Sequence, residues 1–170
     1  MRIVGLDCAT VDAKVGLALG NLGDDGLEIQ DATLCTRERA AANVIAGWLR
    51  DAQDPVLIAI DAPLGWPKPL AETLINHSAG MQIETHANAM FRRTTDLFIQ
   101  RMLKKTPLDV GADRIARTAY AALAILGNLR AELGIPIPLA WTPADISRVA
   151  AIEVYPAATF GCPPDPLDPL

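Results

Sequence analysis

Residues 56–61 read VLIAID, an unbroken apolar run that ends in an acid, and residues 2–7, RIVGLD, repeat the pattern near the start of the chain. A continuous apolar run bounded by turn residues predicts a strand covered on both faces, as in the interior of a parallel sheet. Gln53-Asp54-Pro55 precede the run, and the following APLGWPKP holds three prolines and a glycine, which predicts a rigid loop. Upstream, VGLALG (15–20) and LEIQDATL (27–34) read as two more strands, the second following the turn signal NLGDDG. Three short strands with tight links predict an antiparallel meander.

Between the meander and VLIAID the period changes. Ala40, Ala41, Val44, Ile45, Trp48 and Leu49 fall on one face of a helix over 37–52, with Thr36 as its N-cap. Residues 70–79 read as a helix and GMQIETHANAM (80–90) as a loop. A further helix starts at Thr95, capped by Thr94 or Thr95. Residues 113–133 carry Ile115, Ala119, Leu123, Leu126, Leu129 and Leu133 on or near one stripe, and Gly134 ends that helix. AIEVY (151–155) reads as a last strand, closed by Pro156. The order βββ-α-β-(α)-α-β predicts an α/β domain over residues 1–156, a mixed five-stranded sheet flanked by helices. Residues 157–170 form a proline-rich tail.

The 170 residues suit a single domain, and 51% hydrophobic with 21% charged residues exclude a disordered chain. Aromatic residues are only 5%, so the core must be built from Ala, Leu, Ile and Val. A net charge of −5 offers no global attraction to nucleic acid or to an anionic membrane. A phosphate-bearing partner must therefore be met by a local basic patch or by metal ions. Cys8, Cys35 and Cys162 are odd in number and form no CxxC, which points away from a disulfide framework or a tetrathiolate zinc site and toward a reducing cytoplasm. No targeting segment and no run of ~18 apolar residues is present, so no membrane is expected.

Three acids occupy comparable places: Asp7 ends the first strand, Asp61 the fourth, and Glu153 lies in the last. If those strands are parallel neighbours, two of the carboxylates converge at one sheet edge with the third close by, where ligands of open α/β sheets collect. Converging carboxylates repel one another until a hard cation sits among them. Mg²⁺ prefers such oxygens, and two ions about 3.5–4 Å apart can activate a water and stabilise a leaving oxygen. The structural alternative for each acid alone is a capped turn. FRRTTDLFIQRMLKK (91–105) is locally basic, with Asp96 its only acid. Arg92 and Arg93 precede the helix and are the candidate phosphate contacts, against a solvated helix face as the alternative. Trp66 suits stacking on a base or sugar, or packing over the core edge. His77 and His86 lack zinc spacing, Cys8 has no local His partner, and P-loop, dinucleotide and G-x-S-x-G fingerprints are absent.

Taken in order, GLDCA, VGLALG, IAIDAPLGWP, FRRTTD and IEVYP, spanning Ile3 to Pro156, resemble the domain of unknown function 429 family of predicted RNase H-like nucleases. The resemblance implies an RNase H-like fold and an acidic site of Asp7, Asp61 and Glu153 holding Mg²⁺ or Mn²⁺. It also implies hydrolysis of phosphodiester bonds in nucleic acid or nucleotide. RNase H-like nucleases usually supply a further acid from a helix after the last strand, but here only fourteen residues follow Pro156. Asp165 and Asp168 are poor substitutes, so a truncated C-terminus or a lost helix is expected, with weakened two-metal binding. Two other readings stand beside this one. GLDCATVDAKVGLALG loosely fits an actin-like or sugar-kinase-type nucleotide-binding relative, although such proteins close two halves on the nucleotide. The missing last acid and the acidic charge fit a catalytically silent binding module of the same fold.

Overall fold

A computed structural model of the chain describes residues 1–111 and 113–159. The proline-rich stretch 162–170, with Cys162, Asp165 and Asp168, lies outside the described residues. Five strands form one sheet: β1 (Arg2–Asp7), β2 (Gly16–Gly23), β3 (Gly26–Leu34), β4 (Val56–Asp61) and β5 (Val149–Glu153), in the order β3-β2-β1-β4-β5. The meander β1-β2-β3 is antiparallel, and β4 and β5 add to β1 in parallel. The helices are α1 (Ala41–Leu49), α2 (Lys68–Leu74), α3 (Ala87–Phe91), α4 (Thr94–Leu103), α5 (Asp113–Leu133) and α6 (Pro156–Thr159). The expected α/β architecture with a mixed five-stranded sheet is thus observed. Among the described residues no helix is long and apolar enough to cross a membrane.

Alternation along the strands sets the layers. Val4, Leu6, Val56, Ile58 and Ile60 are buried and form one core with Ala41, Ala42, Ile45 and Leu49 of α1 and Ala122, Ile125, Leu126 and Leu129 of α5. Complete burial of a side chain such as Ile58 contributes about 1.5–3 kcal/mol. The other face of β1, β2 and β4 carries small residues: Gly5 pairs with Ala18 and with Ala59. That face lines an open trough of about 790 Å³ that ends at Asp7 and Asp61.

The structure shortens several expected helices. Helix α1 begins at Ala41 rather than at residue 37, and Thr36 is not its cap. The Thr36 hydroxyl accepts from the Arg39 N–H at 3.1 Å and donates to Glu38 at 3.0 Å, closing a separate turn that holds Arg37 and Glu38 off the core. Helix α2 starts early, at Lys68, because Pro69 in its first turn needs no N–H partner there. It stops at Leu74, since Ile75 beyond it is 78% exposed and has no core to join. α3 forms at the end of the stretch expected as loop and runs on to Phe91, with the His86 ring accepting from the Asn88 N–H. α4 starts at Thr94 with Arg93 at the cap position, and the Asp96 carboxylate accepts the Arg93 N–H at 2.8 Å, in place of the expected threonine cap. α5 ends as expected, with Gly134 at φ +64°.

The β2-β3 hairpin turns through Asp24 and Asp25, and its register shifts at Leu19/Gly20. A Cβ on Gly20 would lie 2.9 Å from a Leu27 methyl and 3.0 Å from the Glu28 carbonyl oxygen. Gly20→Ala is therefore expected to destabilise the chain by about 1–2 kcal/mol through this clash. Urea unfolding checks it, and an unchanged midpoint would mean that the hairpin yields freely.

Candidate functional site

The sheet itself positions the first two acids. β1 and β4 run parallel in register, from Arg2 opposite Val56 to Asp7 opposite Asp61. Neighbouring strands lie about 4.8 Å apart, so the two carboxylates leave the same face side by side at the carboxyl edge. On the other flank Asp7 pairs with Gly16. A Cβ there would sit 3.6 Å from the Asp7 Cβ, so the glycine keeps that side open. Asp7 is exposed and Asp61 half-buried. Among the described residues neither takes part in an ion pair. Burial first, then the charges of Asp7 and Glu153, push the Asp61 carboxyl above its ordinary range.

Glu153 is placed differently. It pairs with Ile60, so alternation puts it on Ile60's side of β4 and not on that of Asp61. The two acids meet around the strand end, where both line a cavity of about 170 Å³ with Thr95 and Tyr155. The Glu153 carboxylate is already engaged. It accepts the Leu64 N–H at 3.0 Å and both ends of the Arg93 fork, at 2.5 and 2.7 Å. The same guanidinium binds Asp96 through Nη2 at 2.6 Å and Nε at 3.0 Å. Asp96 is the one buried charged residue among the described residues. Burial alone would favour loss of the Arg93 proton, but the hydrogen bonds to Asp96 and Glu153 outweigh it and drive its pKa up. One guanidinium thus ties the end of β5 to the start of α4, and Glu153 in turn holds the loop after β4.

Arg92 is also paired, to Asp109 at 3.1 Å and to the Pro107 carbonyl at 3.2 Å. Neither arginine singled out for phosphate contact is therefore free of internal carboxylates. Trp66 is 40% exposed and lines a groove that also reaches Arg92, Arg93 and Glu153. The Cys8 thiol is pushed up to about 11 by burial, then by Asp7 and Asp61, and it donates to the Thr118 carbonyl at 3.7 Å. It stays protonated at neutral pH, which suits a core residue and not a nucleophile. His77 and His86 line none of the cavities around Asp61.

Among the described residues no set of three or more His, Cys, Asp or Glu is arranged to hold a metal ion. Arg93 and the Leu64 N–H occupy the Glu153 carboxylate, which leaves Asp7 and Asp61 as a two-carboxylate pair. Sequence reasoning missed three parts of the site. Asp96 stands inside the quoted FRRTTD segment as its only acid, and nothing there marks it as a buried partner of Arg93. Trp141 lies in the same groove as Trp66, and nothing in its local pattern marks it. The Leu64 N–H carries no sequence signal at all.

A family model described as a protein of unknown function (DUF429) matches residues 5–162. No curated protein and no solved structure matches the chain.

Proposed function

Since the chain belongs to the DUF429 family of proteins of unknown function, we propose from the site's own chemistry that it is a metal-dependent phosphodiester hydrolase, a nuclease of the RNase H-like type. The strand order, with an antiparallel meander extended by two parallel strands, supports the fold part of this reading. The observation that carries the functional part is the register of Asp7 against Asp61 at the carboxyl edge. The pair fits a hard divalent cation. Two carboxylates, with the proton affinity of Asp61 raised by burial first and then by Asp7, unpaired among the described residues, form a set of oxygen donors with charge to neutralise. Mg²⁺ keeps several waters, so two protein carboxylates suffice to hold it.

A bound Mg²⁺ or Mn²⁺ would supply charge stabilisation for the phosphodiester and a water of lowered pKa. The chain's own residues divide the rest. Asp7 and Asp61 hold the cation. Glu153, fixed by Arg93 and by the Leu64 N–H, adds negative potential at the strand end and becomes a third ligand only if Arg93 lets go. Arg93 keeps that end of the site rigid, as a positioning residue. The cysteine usage supports a reducing compartment such as the cytoplasm for this activity.

The test is cleavage of short single-stranded, duplex and hybrid nucleic acids. Activity is expected with Mg²⁺ or Mn²⁺, lost in EDTA and restored by adding the metal back. Cleavage that continues at full rate in EDTA, or undiminished in Asp7→Asn, would end this reading. The engagement of Glu153 by Arg93 favours a second reading, a catalytically silent binding module. Failure to bind either metal at millimolar concentration would select it.

A further inference from the structure

Beside the acid pair, a groove of about 790 Å³ runs between the loop after β4 and the segment flanking β5. Trp66 and Trp141 both line it, 40% and 76% exposed. Trp141 follows Leu139 and Ala140, a segment that adds to the outer edge of β5: the Ala140 N–H donates to the Ala151 carbonyl at 2.9 Å, and the Ala151 N–H to the Pro138 carbonyl at 2.9 Å. The indole therefore projects from a pinned backbone, although its ring has little cover. Arg93 and Glu153 line the groove and also line the smaller cavity that contains Asp61, so the two lie side by side and share that ion pair as a wall. Thr94 and Thr95, at the start of α4, are exposed in the groove wall.

We propose that this groove binds a single-stranded nucleic acid, with unpaired bases against Trp66 and Trp141 and the backbone led toward Asp7 and Asp61. The inference rests on the nuclease reading for the role of the acids, but the groove's binding is independent of it. Two exposed indoles along one open channel offer π-faces that any base can use. A duplex keeps its base faces stacked inside and cannot present them. The charge balance decides which contact carries the affinity. Arg92 and Arg93 are neutralised by Asp109, Asp96 and Glu153, Lys68 at the groove pairs with Glu72 at 3.3 Å, and the whole chain is acidic. Little phosphate attraction remains, so stacking must carry most of the affinity. Binding should accordingly depend on salt only as strongly as one or two phosphate contacts require, a slope of log K against log salt near about −1.

The experiment is a titration of the full chain in EDTA with a single strand of roughly ten nucleotides, a length within the usual span of such sites, and with the corresponding duplex, read by tryptophan fluorescence and by anisotropy of a labelled strand. The single strand is expected to quench the indoles and to bind more tightly than the duplex. Trp141→Ala and Trp66→Ala should each weaken binding by about tenfold or more. Because Trp141 is mostly exposed, its replacement leaves the core untouched and the melting temperature should not move. Trp48, whose indole N–H donates to Asp31 at 3.1 Å on β3, lies outside the groove, and Trp48→Phe should bind like the parent. Equal affinity for the duplex, or a steep salt slope with unchanged binding in both groove variants, overturns the proposal. Tryptophan-dependent binding of single strands without metal-dependent cleavage keeps the groove and rejects the nuclease. Cleavage with binding indifferent to both indoles does the reverse.

Discussion

Asp61→Asn is expected to melt at a higher temperature than the parent protein at neutral pH while losing at least about a hundredfold in hydrolysis, the order found when a group that stabilises developing charge is removed. The two effects share one cause. Asp61 stands in register with Asp7, half-buried, and burial together with Asp7 and Glu153 raises its carboxyl above the ordinary range. Between the ordinary value of the unfolded chain and the raised value of the folded one, the folded state holds more protons, so stability falls as pH rises through that window. Above the raised value the charge opposes folding in full. The neutral amide removes that opposition, and a gain of roughly 1–3 °C is expected for a chain of this size. Below the ordinary carboxylate value both proteins are uncharged at this position and the gain should vanish. On the proposed metal site, millimolar Mg²⁺ should also close the gap by binding the folded parent and not the variant. A melting temperature below the parent's at neutral pH, or an unchanged rate of cleavage, contradicts the assignment.

Arg93→Met is expected to cost about 3–5 kcal/mol in urea unfolding. The guanidinium is 14% exposed and joins two carboxylates, that of Asp96 at 4% and that of Glu153 at 29%. Removing it leaves an uncompensated charge inside the protein, where desolvation is no longer offset by the fork. Asp96 keeps the Arg93 backbone N–H at 2.8 Å, which places the expected loss toward the lower end. Adding Asp96→Leu to the single variant should recover part of the stability, because an apolar replacement of both partners removes the stranded charge. A loss below about 1 kcal/mol in the single variant would show that this network behaves like a surface ion pair. Glu153, released from the fork, should then bind Mn²⁺ more readily with Asp61, a change visible in metal titration.

Strands β1 and β4 were legible in the sequence because an apolar run between turn residues leaves few other conformations, and β3 because a Gly-Asp turn signal precedes it. Helix α5 was legible because its stripe continues over five turns to a glycine. The acids Asp7 and Asp61 were legible as a candidate pair because each closes such a strand, and parallel register then brings them together without further help. Helix starts were harder to read. Thr36 and Thr95 both look like caps, but Thr36 closes a turn of its own and Asp96 takes over the cap of α4, choices that depend on which group finds a partner first. Arg92 and Arg93 looked like free cations in a basic segment because the acids that engage them are not all local.

The sequence by itself determined the periodicities, the strand-ending acids and the absence of a global basic charge, because these are properties of neighbouring residues or of plain composition. Only the tertiary structure decided that Glu153, sixty positions from Arg93, is held by that guanidinium while Asp61 is not, and that Trp66 and Trp141 face one groove. The physical reason is reach. A hydrogen-bonded fork or a shared cavity is specified by the crossing of strand ends and loops, and no pattern along the chain encodes which distant partner arrives there.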